Sequence, residues 1–216
     1  MRRRLVDLAL VAGLVFAPAA VAADACGASF GHGWPPATEN YGSAVEGLLA
    51  GGETPQLMIT RLPSRGTESA LMLVQDAGGW RLRFAEADER VMAWSGTGGG
   101  VKRELRVDQV PDVEEVPIPA AVAERIVASW HRLMTSLPED RNAPFTDQEQ
   151  WLVVLDGVRV GGEVPDCDAG ELLAEQVELL VEAVDESESK RERRWAQLQE
   201  LLAEMDVQSL AGLGTD

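Results

Sequence analysis

The stretch ALMLVQDAGGWRLRFA, residues 70–85, predicts a β-hairpin and decides the fold class. Two strand-like runs flank Asp76–Gly79, and a loop of this length is a common hairpin connection. Side chains alternate along a strand, so the loop length also sets which residues face each other. One face carries Arg81 and Arg83, whose aliphatic stems can cover neighbouring apolar residues. The other face pairs Leu73 with Leu82 and Leu71 with Phe84, beside Trp80.

Similar signals predict further strands on both sides of this hairpin. A turn containing Pro63 and Gly66 separates it from the preceding run, and Asp156-Gly157 is a favoured two-residue hairpin turn later in the chain. Residues 108–119 are acidic and contain prolines, so we interpret them as a connection. The further strand-like runs are Leu57–Leu62, Val91–Ser95, Val101–Val107, Trp151–Leu155 and Val158–Val160.

Apolar residues at helical spacing predict two helices and a third amphipathic stretch near the C-terminus. The first helix spans Ala121–Leu137 and is bounded by Pro119 and Pro138. The second begins at Asp168, which forms a capping-box-like pair with Glu171. The second and third stretches are either two helices or one long helix. The three stripes are Val122, Ile126, Trp130, Leu133 and Leu137; Leu173, Val177, Leu180 and Val184; and Trp195, Leu198, Leu202 and Met205.

The order of strands, a helix, a hairpin and further helices predicts an α+β fold. We expect an antiparallel sheet of hairpins or a meander, with two to four helices packed on one face. Strict β-α-β alternation is missing, which disfavours a doubly wound sheet.

The first 23 residues have the three parts of a cleavable signal peptide. Arg2–Arg4 form the basic start, Leu8–Ala17 is apolar, and small residues permit cleavage after Ala22 or Ala23. A membrane-spanning anchor needs roughly 20 apolar residues, so cleavage is favoured over an anchor and no integral span is expected afterwards. This pattern predicts a periplasmic or secreted protein.

The chain divides into four predicted segments. They are the signal peptide at 1–23, a flexible Gly/Pro-rich arm at 24–42, a single α+β domain at 43–185, and a charged bridge with a C-terminal amphipathic helix and tail at 186–216. The domain is expected to open with a short helix over Ser43–Ala50, stopped by Gly51 and Gly52.

The charge balance restricts the classes of partner. The chain carries 36 acidic and 19 basic side chains, a formal net charge of −17. This charge repels the phosphates of nucleic acids and anionic lipid headgroups, and it attracts a cationic protein or peptide. Plain solubility is the alternative explanation of the same composition.

Cys26 and Cys167 are the two cysteines of the chain. In an oxidising compartment such a pair is a candidate disulfide. The alternative is two unrelated thiols, because spacing alone does not show that the side chains meet.

No stretch matches a catalytic or metal-binding motif, so catalytic residues are unassigned and no cofactor or metal is expected. Ser95–Lys102 is glycine-rich but lacks the Gly-Lys-Ser/Thr of a phosphate-binding loop. The acidic residues of Asp166–Glu171 do not have the spacing of a calcium loop. His32 and His131 are the only histidines, too few for a recognisable zinc site.

Three hypotheses of function follow. The first is a non-enzymatic binding or accessory protein that acts through an acidic surface. The second is a hydrolase of a cell-envelope polymer that uses two carboxylates, which would require a concave site holding both. The third is an assembly subunit that pairs with a second copy through the helix carrying Trp195, Leu198, Leu202 and Met205. Absence of catalytic motifs favours the first. The acidic residues nearest predicted loops are Glu86, Asp88, Glu89, Asp112, Glu114 and Glu115.

Overall fold

The computed structural model describes residues 30–32, 39–96, 100–137, 139, 148–164 and 168–213. Nine strands and four helices lie in these ranges. The strands are β1 (Phe30–His32), β2 (Leu57–Leu62), β3 (Ser69–Asp76), β4 (Gly79–Glu86), β5 (Met92–Gly96), β6 (Val101–Leu105), β7 (Asp112–Pro117), β8 (Gln150–Leu155) and β9 (Val158–Gly162). The helices are α1 (Glu39–Ala50), α2 (Ala120–Ser136), α3 (Asp168–Asp185) and α4 (Glu188–Leu213).

Seven strands form one antiparallel sheet in the order β1-β9-β8-β2-β3-β4-β7, and β5 and β6 form a separate hairpin. The predicted register of the β3–β4 hairpin is confirmed, with Leu71 opposite Phe84 and Leu73 opposite Leu82. The β8–β9 turn is also confirmed. Asp156 and Gly157 both have positive φ, 51° and 78°, which is the geometry of a tight hairpin turn.

The larger core lies between one face of the sheet and the helices α2, α3 and α4. The predicted stripe of α2 supplies Val122, Ile126 and Trp130, all fully buried. Trp130 packs against Trp151 of β8 with ring centroids 6.5 Å apart, and its indole N–H donates to Gln176 Oε1 at 2.8 Å. The α+β class is therefore confirmed, and three of the four helices pack on this face.

Helix α1 covers the opposite face of the sheet and forms a second core. Its buried residues Tyr41, Val45 and Leu49 pack with strand residues such as Met58 and Met72. Along β2 and β3, these strand residues alternate with the residues that face the larger core. The sheet is consequently covered on both faces, with three helices on one and a single helix on the other.

A fully buried carboxylate joins α1 to the start of the β5–β6 hairpin. Glu68 accepts hydrogen bonds from the Tyr41 hydroxyl and, at 2.8 Å, from the backbone N–H of Val91. Burial, followed by the hydrogen bond and the negative charge of Glu68, raises the pKa of Tyr41 far above its usual range. The hydroxyl therefore stays protonated as the donor. We assign this cluster a structural role, because its members are bonded to one another inside the second core.

Two segments differ from the sequence-based prediction. Residues 112–117, interpreted as part of a connection, form the edge strand β7 paired with β4. Phe30–His32, inside the segment interpreted as a flexible arm, forms β1 paired with β9, and α1 begins at Glu39 rather than Ser43. Residues 1–29, including the predicted signal peptide, lie outside the described residues.

The two C-terminal amphipathic stretches are separate helices. Glu186 and Ser187 form the break between α3 and α4. Arg191 of α4 reaches back and donates to the carbonyl oxygens of Ala183 at 2.8 Å and Glu186 at 2.7 Å, which satisfies groups at the end of α3. Of the described helices, none has the length and apolar composition needed to cross a membrane.

Candidate functional site

The predicted interaction helix is part of the core of the chain. In α4, Trp195, Leu198 and Leu202 are buried, and Met205 packs against the same cluster. Ion pairs from Arg125 and Arg132 of α2 to Asp206 of α4 hold the helix in place. The apolar stripe is thus already covered within one copy.

The predicted disulfide lies outside the described residues, because neither Cys26 nor Cys167 is among them. The pairing stays a prediction. Residues 97–99 (Thr-Gly-Gly) are outside as well, and the described ends of Ser95–Lys102 belong to the β5–β6 hairpin.

The two histidines occupy different positions. His131 is exposed on α2, and His32 Nε2 lies 3.4 Å from the carbonyl oxygen of Leu137. Within the described residues, no group of three or more His, Cys, Asp or Glu side chains is arranged to hold a metal ion.

The exposed face of α3 is entirely acidic. Over residues 170–185, whose side chains are described, every exposed position carries a carboxylate. The positions advance by four, three, four and three residues, so they form one stripe along the helix. The fully solvated face of a helix usually mixes charges of both signs, as α2 does with Glu124 and Arg132. The stripe residues are Glu171, Glu175, Glu178, Glu182 and Asp185.

This stripe continues onto the edge strand β7, and together they form what we call the acidic α3–β7 face. The negative charge of Asp185 raises the pKa of Glu114, and desolvation and a hydrogen bond between the two carboxyl groups act in the same direction. Asp185 also ends α3, where the helix dipole disfavours negative charge. Both effects are destabilising at neutral pH, so packing of the fold does not explain the Glu114–Asp185 pair, whereas Glu182 of the stripe is ion-paired with Arg194 at 3.1 Å.

Two depressions in the described surface each contain one carboxylate, whereas a two-carboxylate hydrolase requires both groups in one site. The first depression, which we call the α2 groove, lies between α2 and the β3–β4 end of the sheet and has a volume of about 400 Å³. Its one carboxylate is that of Glu124. The second, about 280 Å³, lies at the α3–α4 junction and contains Glu186 with Lys190, Arg193 and Arg194. A hydrogen bond from Arg194 lowers the pKa of Glu186, the opposite of what a general acid needs.

The α2 groove has an apolar floor and a polar rim. Trp80 and Val127 are among its apolar residues, and the Trp80 side chain is 9% exposed. The indole N–H of Trp80 is buried and has no hydrogen-bond partner. A buried donor of this kind costs about 1–3 kcal/mol. The polar rim is formed by Gln56, Gln75, Glu124, His131 and Arg132.

The β5–β6 hairpin is a third surface feature. Its inner residues Met92 and Leu105 pack against the second core, whereas Trp94 is 65% and Val101 74% exposed. Trp94 lies opposite Arg103 in the register. Large exposed apolar residues on a hairpin are unusual, but nothing in the described residues indicates what covers them.

The sequence signals for these surfaces differ in kind. The acidic stripe of α3 has a sequence signal, because its residues recur at helical spacing on the side opposite the apolar stripe. The α2 groove has no sequence signal, because its rim comes from three separate parts of the chain. No family model, no curated protein and no solved structure matches this chain.

Proposed function

We propose that this protein is a non-enzymatic binding or accessory protein of the periplasm or cell exterior. Its acidic α3–β7 face holds a cationic protein or peptide. The observation that carries this proposal is the exclusively acidic character of the exposed positions of α3 over residues 170–185. The location rests on the signal peptide predicted from the sequence.

The energetics of the face support a role in binding. Carboxylates at the end of α3, and a carboxyl pair at Glu114 and Asp185, oppose stability at neutral pH. Natural proteins depart from locally favourable choices mainly at functional sites. A cationic partner would relieve the repulsion, so binding and stability are linked.

The distribution of carboxylates favours binding over hydrolysis. Each of the two depressions contains a single carboxylate, and the Glu114–Asp185 pair lies on an exposed surface. A two-carboxylate mechanism requires both groups on opposite sides of a bound substrate. Pairing through the C-terminal stripe is also less favoured, since its side chains are buried within one copy.

The test is a calorimetric titration of the protein with a synthetic lysine-rich helical peptide at increasing salt. In one variant Glu171, Glu175 and Glu178 are all changed to Gln. A matched variant changes three exposed glutamates of α4 to Gln, which are Glu192, Glu200 and Glu204. The two variants have the same net charge, so they differ only in where charge is removed.

We expect the α3 variant to bind about tenfold more weakly, since three exposed ion pairs contribute about 0.5 kcal/mol each. The α4 variant should stay close to wild type, and affinity should fall as salt rises. Equal losses in the two variants would show that net charge alone attracts the peptide, and the proposal would then be wrong. Absence of binding by the wild type at low salt would also contradict it.

A further inference from the structure

We infer that the α2 groove binds an uncharged, hydroxyl-rich ligand such as a short glycan. This inference goes beyond the proposed function and is independent of it, because the groove is built from residues outside the acidic α3–β7 face.

Four of the five polar side chains at the groove have no partner among the described residues. Gln56 and Gln75 border it on the sheet side, and Glu124 and His131 border it on α2. None of these four side chains forms a hydrogen bond or an ion pair with another described residue. Arg81 and Arg159, by contrast, are both engaged with carboxylates. Convergent uncommitted polar groups around an apolar floor are typical of small-molecule sites.

Trp80 provides a second, independent indication. Its side chain is nine-tenths buried, and its indole N–H is the one among the described tryptophans that is buried without a partner. The indole N–H of Trp130 donates to Gln176, and that of Trp151 donates to Glu149 at 3.0 Å. Because the N–H is buried, a ligand oxygen would reach it and supply the missing acceptor only if the rim moves aside.

The available groups define the chemistry of the ligand. The Glu124 carboxylate and the glutamine carbonyls accept hydrogen bonds, whereas the Trp80 indole and the glutamine amides donate them. A hydroxyl group donates and accepts at once, so a molecule with several hydroxyls matches this mixed set. The C–H faces of a sugar ring would cover the apolar floor at Trp80 and Val127.

Charge disfavours an anionic ligand in the groove. Glu124 is negative, and the nearby Arg132 is already paired with Asp206 at 2.6 Å. The chain as a whole carries a net charge of −17, which adds to the repulsion of anions. An uncharged ligand meets neither repulsion nor the cost of desolvating a charge.

The experiment follows the indole N–H resonances of the full chain by ¹H–¹⁵N NMR. The probes are cellotriose and chitotriose, each titrated to about 10 mM to reach weak affinities. An uncharged peptide of the same size, N-acetylated trialanine amide, is titrated in parallel. The variants are Trp80→Phe, which removes the donor and assigns its resonance, and Gln75→Ala at the exposed rim. Gln199→Ala, an exposed glutamine on α4, is the matched control.

We expect at least one trisaccharide to shift the Trp80 indole resonance in a saturable manner. Trp80→Phe and Gln75→Ala should each lower the affinity three- to tenfold, roughly the effect of one lost hydrogen bond, and Gln199→Ala should not. The inference is wrong if neither trisaccharide shifts that resonance, or if the peptide binds and the trisaccharides do not. It is also wrong if Gln75→Ala binds as tightly as the control, a result that remains informative even if Trp80→Phe does not fold.

Discussion

Two buried tryptophans with the same chemical structure should respond in different ways to the same substitution. Trp80 and Trp130 are 9% and 0% exposed, so changing either to Phe removes a similar amount of buried apolar surface. Their indole N–H groups differ. That of Trp80 has no partner, whereas that of Trp130 donates to Gln176 Oε1, an acceptor in a fully buried side chain.

The polar contributions of the two substitutions have opposite signs. Changing Trp to Phe lowers stability because buried apolar surface is lost. In Trp80→Phe the unpaired buried donor is also removed, which makes this loss smaller by about 1–3 kcal/mol. Trp130→Phe leaves the Gln176 acceptor unpaired, which adds about 1–3 kcal/mol to the loss. The free energy of unfolding of Trp130→Phe should therefore be lower than that of Trp80→Phe by at least about 2 kcal/mol.

The assay is equilibrium unfolding in urea, followed by far-UV circular dichroism because the substitutions alter tryptophan fluorescence. With an m-value of about 2 kcal/mol/M, the midpoints should differ by about 1 M. The double variant Trp130→Phe/Gln176→Leu serves as a control and should recover part of the loss, since it leaves no buried acceptor unpaired. Equal midpoints for the two single variants would refute the reasoning and show that the Trp80 N–H is satisfied in solution.

Substitutions at two further positions test the electrostatics of the fold. Asp185→Asn should raise Tm by about 1–3 °C at pH 7, because it removes a negative charge from a helix end and from beside Glu114. The pKa of Glu114 is raised in the folded protein, so folding favours the protonated form of this side chain. The stabilisation that this form provides is present at low pH and is lost as pH rises through the raised pKa. The gain measured by thermal unfolding should thus shrink as pH falls through the raised pKa of Glu114, and no gain at pH 7 would contradict the proposed repulsion. Glu68→Ala should cost about 3 kcal/mol or more in urea unfolding, since it leaves the Tyr41 hydroxyl and the Val91 N–H unpaired. Glu68→Gln keeps one acceptor and should cost less, and a loss below about 1 kcal/mol for Glu68→Ala would show that water replaces the carboxylate.

The strands that were predicted and those that were missed differ in how local their signals are. The β3–β4 hairpin has alternating apolar residues and a turn within one short stretch, so its register could be predicted in full. Half of the residues of strand β7 are acidic and it ends in Pro117, and it becomes a strand because the edge of β4 offers it hydrogen-bonding partners. Phe30–His32 is only three residues long, and its partner β9 is more than a hundred residues away along the chain.

By itself, the amino-acid sequence determined the α+β class, the register of the β3–β4 hairpin, the apolar faces of the long helices and the acidic charge. These properties depend on periodicity and turn chemistry, which act between residues close in the chain. Tertiary structure alone decided that α1 covers the second face of the sheet and that the C-terminal stripe is buried. It also brought Asp185 beside Glu114 and assembled the groove around Trp80. The physical reason is that these contacts join distant segments, and their formation depends on how whole elements pack.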